Sequence, residues 1–276
     1  MRHLLASIGF AALLTAVVAA LWTLQRSGVP LAVASVLLWT SIVIVLIIVE
    51  RVVPFERAWL VPDEQLGNDV VHTVIGSAVG SHVGSIAAEG AVAIVAFAAP
   101  ALSLWPSSLP FAVQVGVGFV VVDGVRFGQH WLSHRVPTLW ETHKLHHDAR
   151  RLIVMKAGRA HFFDRAAQAL CVVPVIVAGA PVDVVFWCVA LNSVIGLIAH
   201  ANVDVAGLIV VGPREHRVHH ARDAEGHGAN FGAALTIWDR LCGTFRSATV
   251  TTVGLDEATP STVVSQLAAP VQAWVD

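Results

Sequence analysis

The chain has 276 residues, 56% of them hydrophobic and 13% charged, where an ordinary soluble domain has roughly 45–50% and about 25%; this excludes a water-soluble globule. A formal net charge of −2 removes the electrostatic basis for nucleic-acid binding. Cys171, Cys188 and Cys242 have no paired spacing, which excludes a disulfide framework and a thiolate metal site. In chain order, Leu4 to Leu24 and Pro30 to Val49 carry no charge, and each matches the roughly 20 apolar residues that cross a bilayer. The first is read as a span, since it exceeds a signal peptide's apolar core of about 7–15 residues and a second span follows at once. Val70 to about Ala99 has one charge, Glu89, and repeats Gly-Ser at 76–77, 80–81 and 84–85. That four-residue period puts small residues on one helix face for packing against another helix. Leu109 to Val122 is a shorter apolar run, and Ala169 to Ala199 forms a hairpin broken at Gly179-Ala180-Pro181. Each arm of the hairpin is near the lower length limit, so the residues leave open whether it spans twice or dips in and returns.

Cytoplasmic loops are enriched in Lys and Arg. With the N-terminus inside, the inner segments are 1–3, 50–69, 123–168 and 201–276, and they hold 16 of the 17 Lys and Arg residues, leaving only Arg26 outside. The expected architecture is an all-α membrane protein of about four transmembrane helices plus a membrane-dipping helical hairpin, with a cytoplasmic helical cap holding a histidine-rich dimetal site. Residues 1–122 are assigned to the transmembrane helices, 123–246 to the histidine-rich region including the hairpin 169–200, and 247–276 to a C-terminal tail.

Eleven of the 14 histidines fall between His130 and His227. Four clusters stand out: HWLSH (His130, His134), HKLHH (His143, His146, His147), HANV (His200) and HRVHH (His216, His219, His220). Residues four apart share a helix face, so His130 and His134 converge, with Asp123 on the same stripe. In each H-x-x-H-H block, positions one and four are expected to be neighbours and position five to be turned by about 100°, so that one block serves two adjacent centres. Neutral imidazole suits iron, zinc, copper or nickel, and nine imidazoles exceed the needs of one ion, which implies a dinuclear centre. The absence of E-x-x-H and H-E-x-x-H excludes a carboxylate-bridged bundle and a zincin protease. His3, His72 and His82 are read as ordinary structural histidines. His161 and His227 lie in the region without a partner at ligand spacing.

From Asp123 to Thr244 the sequence resembles the fatty acid hydroxylase and sterol desaturase superfamily of integral membrane enzymes. The matching pieces are D-x6-H-x3-H (Asp123, His130, His134), LWETHKLHH, RAHFFD, HAN, and HRVHH followed by NFGAALTIWDRLCGTF. Trp131, Phe162, Asp164 and Cys242 depart from the family's usual Arg, Pro, Glu and Phe, and none of the departures removes a ligand. The resemblance implies a helical cap on membrane helices and a non-haem centre of two iron ions held by these histidines, with zinc able to replace iron in purified protein. It also implies molecular oxygen as oxidant and a lipid substrate. Ligand histidines usually donate their second N–H to a carboxylate or carbonyl, and Asp123 and Asp239 are the expected partners. Asp148, Asp164, Glu141 and Glu215 are also within reach in sequence. Arg159 is read as orienting a carboxylate or a headgroup, and Asn230 and Trp238 as structural pins. With no dinucleotide, haem or cluster motif, the chain needs a ferredoxin or cytochrome-type donor with its reductase. A dimetal hydrolase and a non-catalytic haem carrier or metal transporter are the competing readings; the transporter is disfavoured because the histidines follow the spans instead of lining one.

Overall fold

The computed structural model describes residues 2–98, 104–222, 228–257 and 259–275; His227 lies outside them. Among the described residues the protein is helical, with isolated bridges Val210–Leu235 and Ala221–Val253 in place of any strand. The membrane layer begins with α1 (Arg2–Arg26) and α2 (Leu31–Val52). A long helix follows as α3 (Leu66–Ile75), a π turn over Gly76–Gly80, and α4 (Ser81–Ala98). Next come α5 (Phe111–Arg135), α6 (Pro137–His147), α7 (Phe162–Leu170), α8 (Val173–Val177) and α9 (Val182–Ala199). Short α10 (Pro213–His219), α11 (Ile237–Cys242) and terminal α12 (Val263–Val275) complete the cap. Pro30, Pro110 and Pro181 stand just before α2, α5 and α9, where a fixed φ favours helix entry and no ladder donor is lost.

Five stretches are long and apolar enough to cross a membrane: Ile8–Arg26, Leu31–Val52, Leu66–Phe97, Phe111–Arg135 and Val182–Ala199. They make this an integral membrane protein. Their ends sort into two levels. At one, Gln25 accepts from Trp187 Nε1 at 2.7 Å and donates to Asp183 at 3.4 Å, while Leu104 N–H donates to the Ala178 carbonyl at 3.2 Å. At the other, the Glu50 carboxylate accepts from the amides of Val154 at 2.7 Å and Asn202 at 2.8 Å. Asp69 there binds Lys156 at 2.5 Å and Arg159 at 2.8 Å. The hairpin therefore reaches the far level and returns. Only its outgoing arm, α9, has spanning length in one piece; the incoming arm is broken into α7 and α8, with Pro174 in the first turn of α8.

The glycine stripe packs as its period implies. A Cβ on Gly80 would sit 2.5 Å from Arg165 Cβ and 2.8 Å from the Phe162 carbonyl, and one on Gly84 would collide with Ala169. Overfilling such a contact costs about 1–3 kcal/mol. Gly84→Leu is accordingly expected to lower the thermal midpoint in detergent, whereas Gly90→Leu, which meets open space, leaves it unchanged.

Candidate metal centre

The nine histidines of the four sequence clusters meet on the cap side of the membrane layer and divide into two groups. His130, His134, His143, His147 and His219 form one, and His146, His200, His216 and His220 the other, with the donor atoms of each group within 4.8 Å of one another. α5 supplies His130 and His134, with ring centroids 5.1 Å apart; α6 supplies three, the end of α9 one, and α10 with its cap residue three. The partition within the H-x-x-H-H blocks differs from the expected one. His143 and His147 stay together and His146 crosses to the other group, just as His216 and His220 stay together and His219 crosses. Four residues of α-helix turn the side chain by about 40° and three by about 60° in the opposite sense, so positions one and five share a face more closely than one and four. The two groups are nevertheless adjacent, with His147 and His220 stacked at 4.3 Å.

The backbone fixes which nitrogen faces inward. Nδ1 of His130, His146, His200 and His219 lies 2.8, 3.1, 2.7 and 2.7 Å from the carbonyls of Phe231, Arg159, Gly196 and Ala229. A carbonyl only accepts, so each Nδ1 carries the proton and Nε2 presents its lone pair to the centre. Nε2 of His130 and of His143 are buried with no hydrogen-bond partner. In the four-ring group, Nε2 of His200 lies 3.2 Å from that of His146 and 3.0 Å from that of His216, and His216 lies 3.1 Å from His220. That is about the separation of neighbouring donors around one ion at metal–nitrogen distances near 2.1 Å. Burial, reinforced by neighbouring imidazoles, holds His146, His147, His216 and His220 well below the usual histidine range. Burial pushes His200 down to about 4. These rings are neutral at physiological pH and can bind a metal without first losing a proton. Buried unpartnered lone pairs, donor spacing and neutrality all fit bound transition metal.

The supporting carboxylates do not stand where the sequence reading put two of them. Asp164, at the start of α7, lies 3.3 Å from His143 Nδ1. Burial raises its pKa, but the His143 ring and Arg165 outweigh burial and hold the carboxyl below its usual range. Asp123 and Asp239 instead accept backbone amides. Asp123 takes Ala234 N–H at 2.8 Å, Leu235 N–H at 3.0 Å and Trp238 Nε1–H at 2.9 Å. Asp239 takes Phe231 N–H at 2.8 Å, Gly232 N–H at 2.7 Å and the Thr244 hydroxyl at 2.7 Å. Together they clamp the loop 231–235, whose Phe231 carbonyl orients His130, so both act one residue further out than expected. The reason is stoichiometric: the loop presents several amide donors with no ladder of their own, and a buried carboxylate satisfies two or three at once.

Arg159 joins α3 to α6, binding Asp69 and Asp148 and donating to the Leu145 carbonyl, while its own carbonyl holds His146. Glu141 pairs with Lys144, and Glu215 accepts from Gly207 N–H and Ser247. Asn230, at φ 55°, donates to the carbonyls of Glu215 and Arg246. His161 joins neither metal group: its Nδ1 caps α7 by accepting from Phe163 N–H at 3.2 Å, and Nε2 faces the Leu267 carbonyl. His72 pairs with Gln266 of α12 at 2.7 Å.

A cavity of about 920 Å³ runs from the histidines into the membrane layer between α4, α5, α8 and α9. His130, His143, His146, His200 and His216 stand at one end, and Val122, Val172, Ile176, Val189 and Leu197 are among its apolar walls.

Comparison with known proteins gives the same reading of this region. The family model described as fatty acid hydroxylase matches residues 115–244. The chain is 34% identical over 244 residues to the ornithine lipid hydroxylase OlsE of Rhizobium tropici, covering 84% of this chain and 74% of that protein. It is 29% identical over 136 residues to an alkylglycerol monooxygenase of Xenopus tropicalis and 28% over 131 residues to that of Homo sapiens. These matches cover 44% and 45% of this chain but only 29% of each relative's length. No solved structure matches the chain. With one relative aligned along most of both chains, and the family's histidine boxes folded into a single buried cluster, this protein belongs to the fatty acid hydroxylase family.

Proposed function

We propose that this protein is a membrane-bound oxygenase that hydroxylates an amphipathic lipid, using two iron ions held by the nine histidines, molecular oxygen and externally supplied electrons. The observation that carries the reading is the placement of two neutral imidazole groups at the inner end of an apolar cavity among membrane helices. Iron bound there supplies what no side chain can, an oxidant able to break an unactivated C–H bond. His130, His134, His143, His147 and His219 hold one ion, and His146, His200, His216 and His220 the other. The remaining work falls to the chain. The backbone carbonyls and Asp164 fix ring orientation, Asp123 and Asp239 hold the loop behind His130, and the cavity excludes water and aligns the lipid with the centre.

Hydroxylation is favoured over desaturation because the curated relatives are named a lipid hydroxylase and monooxygenases. Residues 123–246 carry the chemistry, and 1–122 supply most of the membrane anchorage. The Lys and Arg distribution supports a cytoplasmic position for the histidines, where a ferredoxin or cytochrome-type donor with its reductase supplies the electrons.

Lipid extracts of cells expressing the wild type or His146→Ala test the proposal by mass spectrometry. A lipid heavier by one oxygen in the wild type alone is expected. A loss of two hydrogens would reassign the reaction to desaturation, and equal lipidomes would remove catalysis on lipids. Product formation under strict anaerobiosis would favour the hydrolase reading.

A further inference from the structure

Two arginines beside the metal centre are not explained by metal binding. Arg126 lies on α5 one turn before His130, within a membrane-spanning helix, and lines the cavity. Its Nε is buried without a partner, and the guanidinium makes no hydrogen bond or ion pair with any described residue. Across the cavity, Arg165 of α7 also lines the wall. It donates to the Gln168 side chain at 3.1 Å and the Ala157 carbonyl at 2.7 Å, and forms no ion pair among the described residues. Burial lowers the Arg165 pKa, the adjacent Asp164 carboxylate opposes that shift, and Arg126 adds to it.

The carboxylates around them are already occupied. Asp164 accepts from Gln129 and Gln168 and faces His143. Asp123, three residues back on α5, spends both oxygens on Ala234, Leu235 and Trp238. Glu89 is the only carboxylate that lines the cavity among the described residues. It sits nine residues beyond Gly80, the residue that abuts Arg165, which is about 13 Å along the helix. A buried guanidinium nitrogen with no hydrogen-bond partner is costly, and a planar guanidinium matches an oxyanion by two parallel hydrogen bonds.

We propose that Arg126 and Arg165 form an oxyanion-recognition site in the cavity wall, and that the substrate is a lipid whose acidic headgroup, a carboxylate or a phosphate, is drawn into the cavity beside the metal centre. The inference rests on the lipid-hydroxylase reading for the word substrate. The acid group bridges the two guanidiniums and neutralises their mutual repulsion. The head end of the lipid is thereby placed against the histidines, and its chains trail along the apolar walls toward Val189. Selectivity then comes from the head, since a neutral amphiphile leaves the Arg126 guanidinium without an anion.

The test is equilibrium binding to the iron-loaded, full-length protein in a neutral detergent, with N-dodecanoylglycine, dodecyl phosphate and 1-O-dodecylglycerol as probes. The wild type is expected to bind at least one anionic probe about tenfold or more tightly than the neutral one. The tighter of the two anionic probes identifies the acid as carboxyl or phosphate. Arg126→Gln and Arg165→Gln are each expected to lose about tenfold of that preference, with iron content and dodecylglycerol binding unchanged, while Arg126→Lys keeps part of it. Equal binding of all three probes by the wild type, or full retention of the preference by Arg126→Gln, would overturn the site. Binding is read without turnover, so a lipidome lacking added oxygen removes the hydroxylase reading and leaves this site standing. Undiminished hydroxylation of an acidic lipid by Arg126→Gln does the reverse.

Discussion

His200→Ala is expected to lower the iron content of the purified protein by one ion per chain and to reduce lipid oxidation to background, measured by metal analysis and product mass spectrometry. The four-ring group has no spare donor: His200 Nε2 stands between those of His146 and His216, at 3.2 and 3.0 Å. Removing it leaves three imidazoles and opens a void in a buried site. The five-ring group contains one ring more, so His134→Ala is expected to retain more iron than His200→Ala. A reversed order would show that the two groups do not act as separate holders.

The second large effect is expected at a residue that touches no metal-binding ring. Asp123→Leu strands three donors, the amides of Ala234 and Leu235 and the Trp238 indole, and each buried unsatisfied group costs about 1–3 kcal/mol. A loss of about 3–5 kcal/mol in unfolding free energy in detergent is expected, once partial relaxation of the loop is allowed for. Because the same loop carries the Phe231 carbonyl that orients His130, iron affinity should fall by about 10–100-fold. Asp123→Asn keeps one accepting oxygen and should recover much of the stability. If Asp123→Leu loaded iron and unfolded like the wild type, the loop would be held by something other than this carboxylate.

The metal centre was legible because imidazoles at three- and four-residue spacings are a periodic signal, and a helix turns such a signal into a shared face. The apolar spans were equally readable from the absence of charge. The roles of Asp123 and Asp239 were not. Their partners are amides of an irregular loop, and a loop has no period that would announce which donors need an acceptor. Asp164 stands in the RAHFFD segment, where sequence shows it within reach of the centre but does not distinguish it from its rivals. The return of α12 onto the cap, through Gln266 to His72 and Trp274 to the Thr138 carbonyl, joins residues more than 130 positions apart, which local pattern does not encode. The broken first arm of the hairpin escaped for a related reason: length and hydropathy describe a segment's sum, while the break depends on how α7 fits against the glycines of the preceding long helix.

Glu50 gives the membrane layer a grip on the chemistry. Its single side chain ends α2 and holds the amides of Val154 and Asn202, the first five residues before the Arg159 carbonyl that orients His146, the second two residues after His200. A helix whose apolar length mismatches the surrounding lipid shifts or tilts to compensate, and α2 cannot do so without pulling both strands of chain that flank the four-ring group. Bilayer thickness thereby becomes a variable to which the enzyme's metal is mechanically coupled, and reconstitution in lipids of graded acyl length should tune oxidation while Glu50→Ala flattens the response.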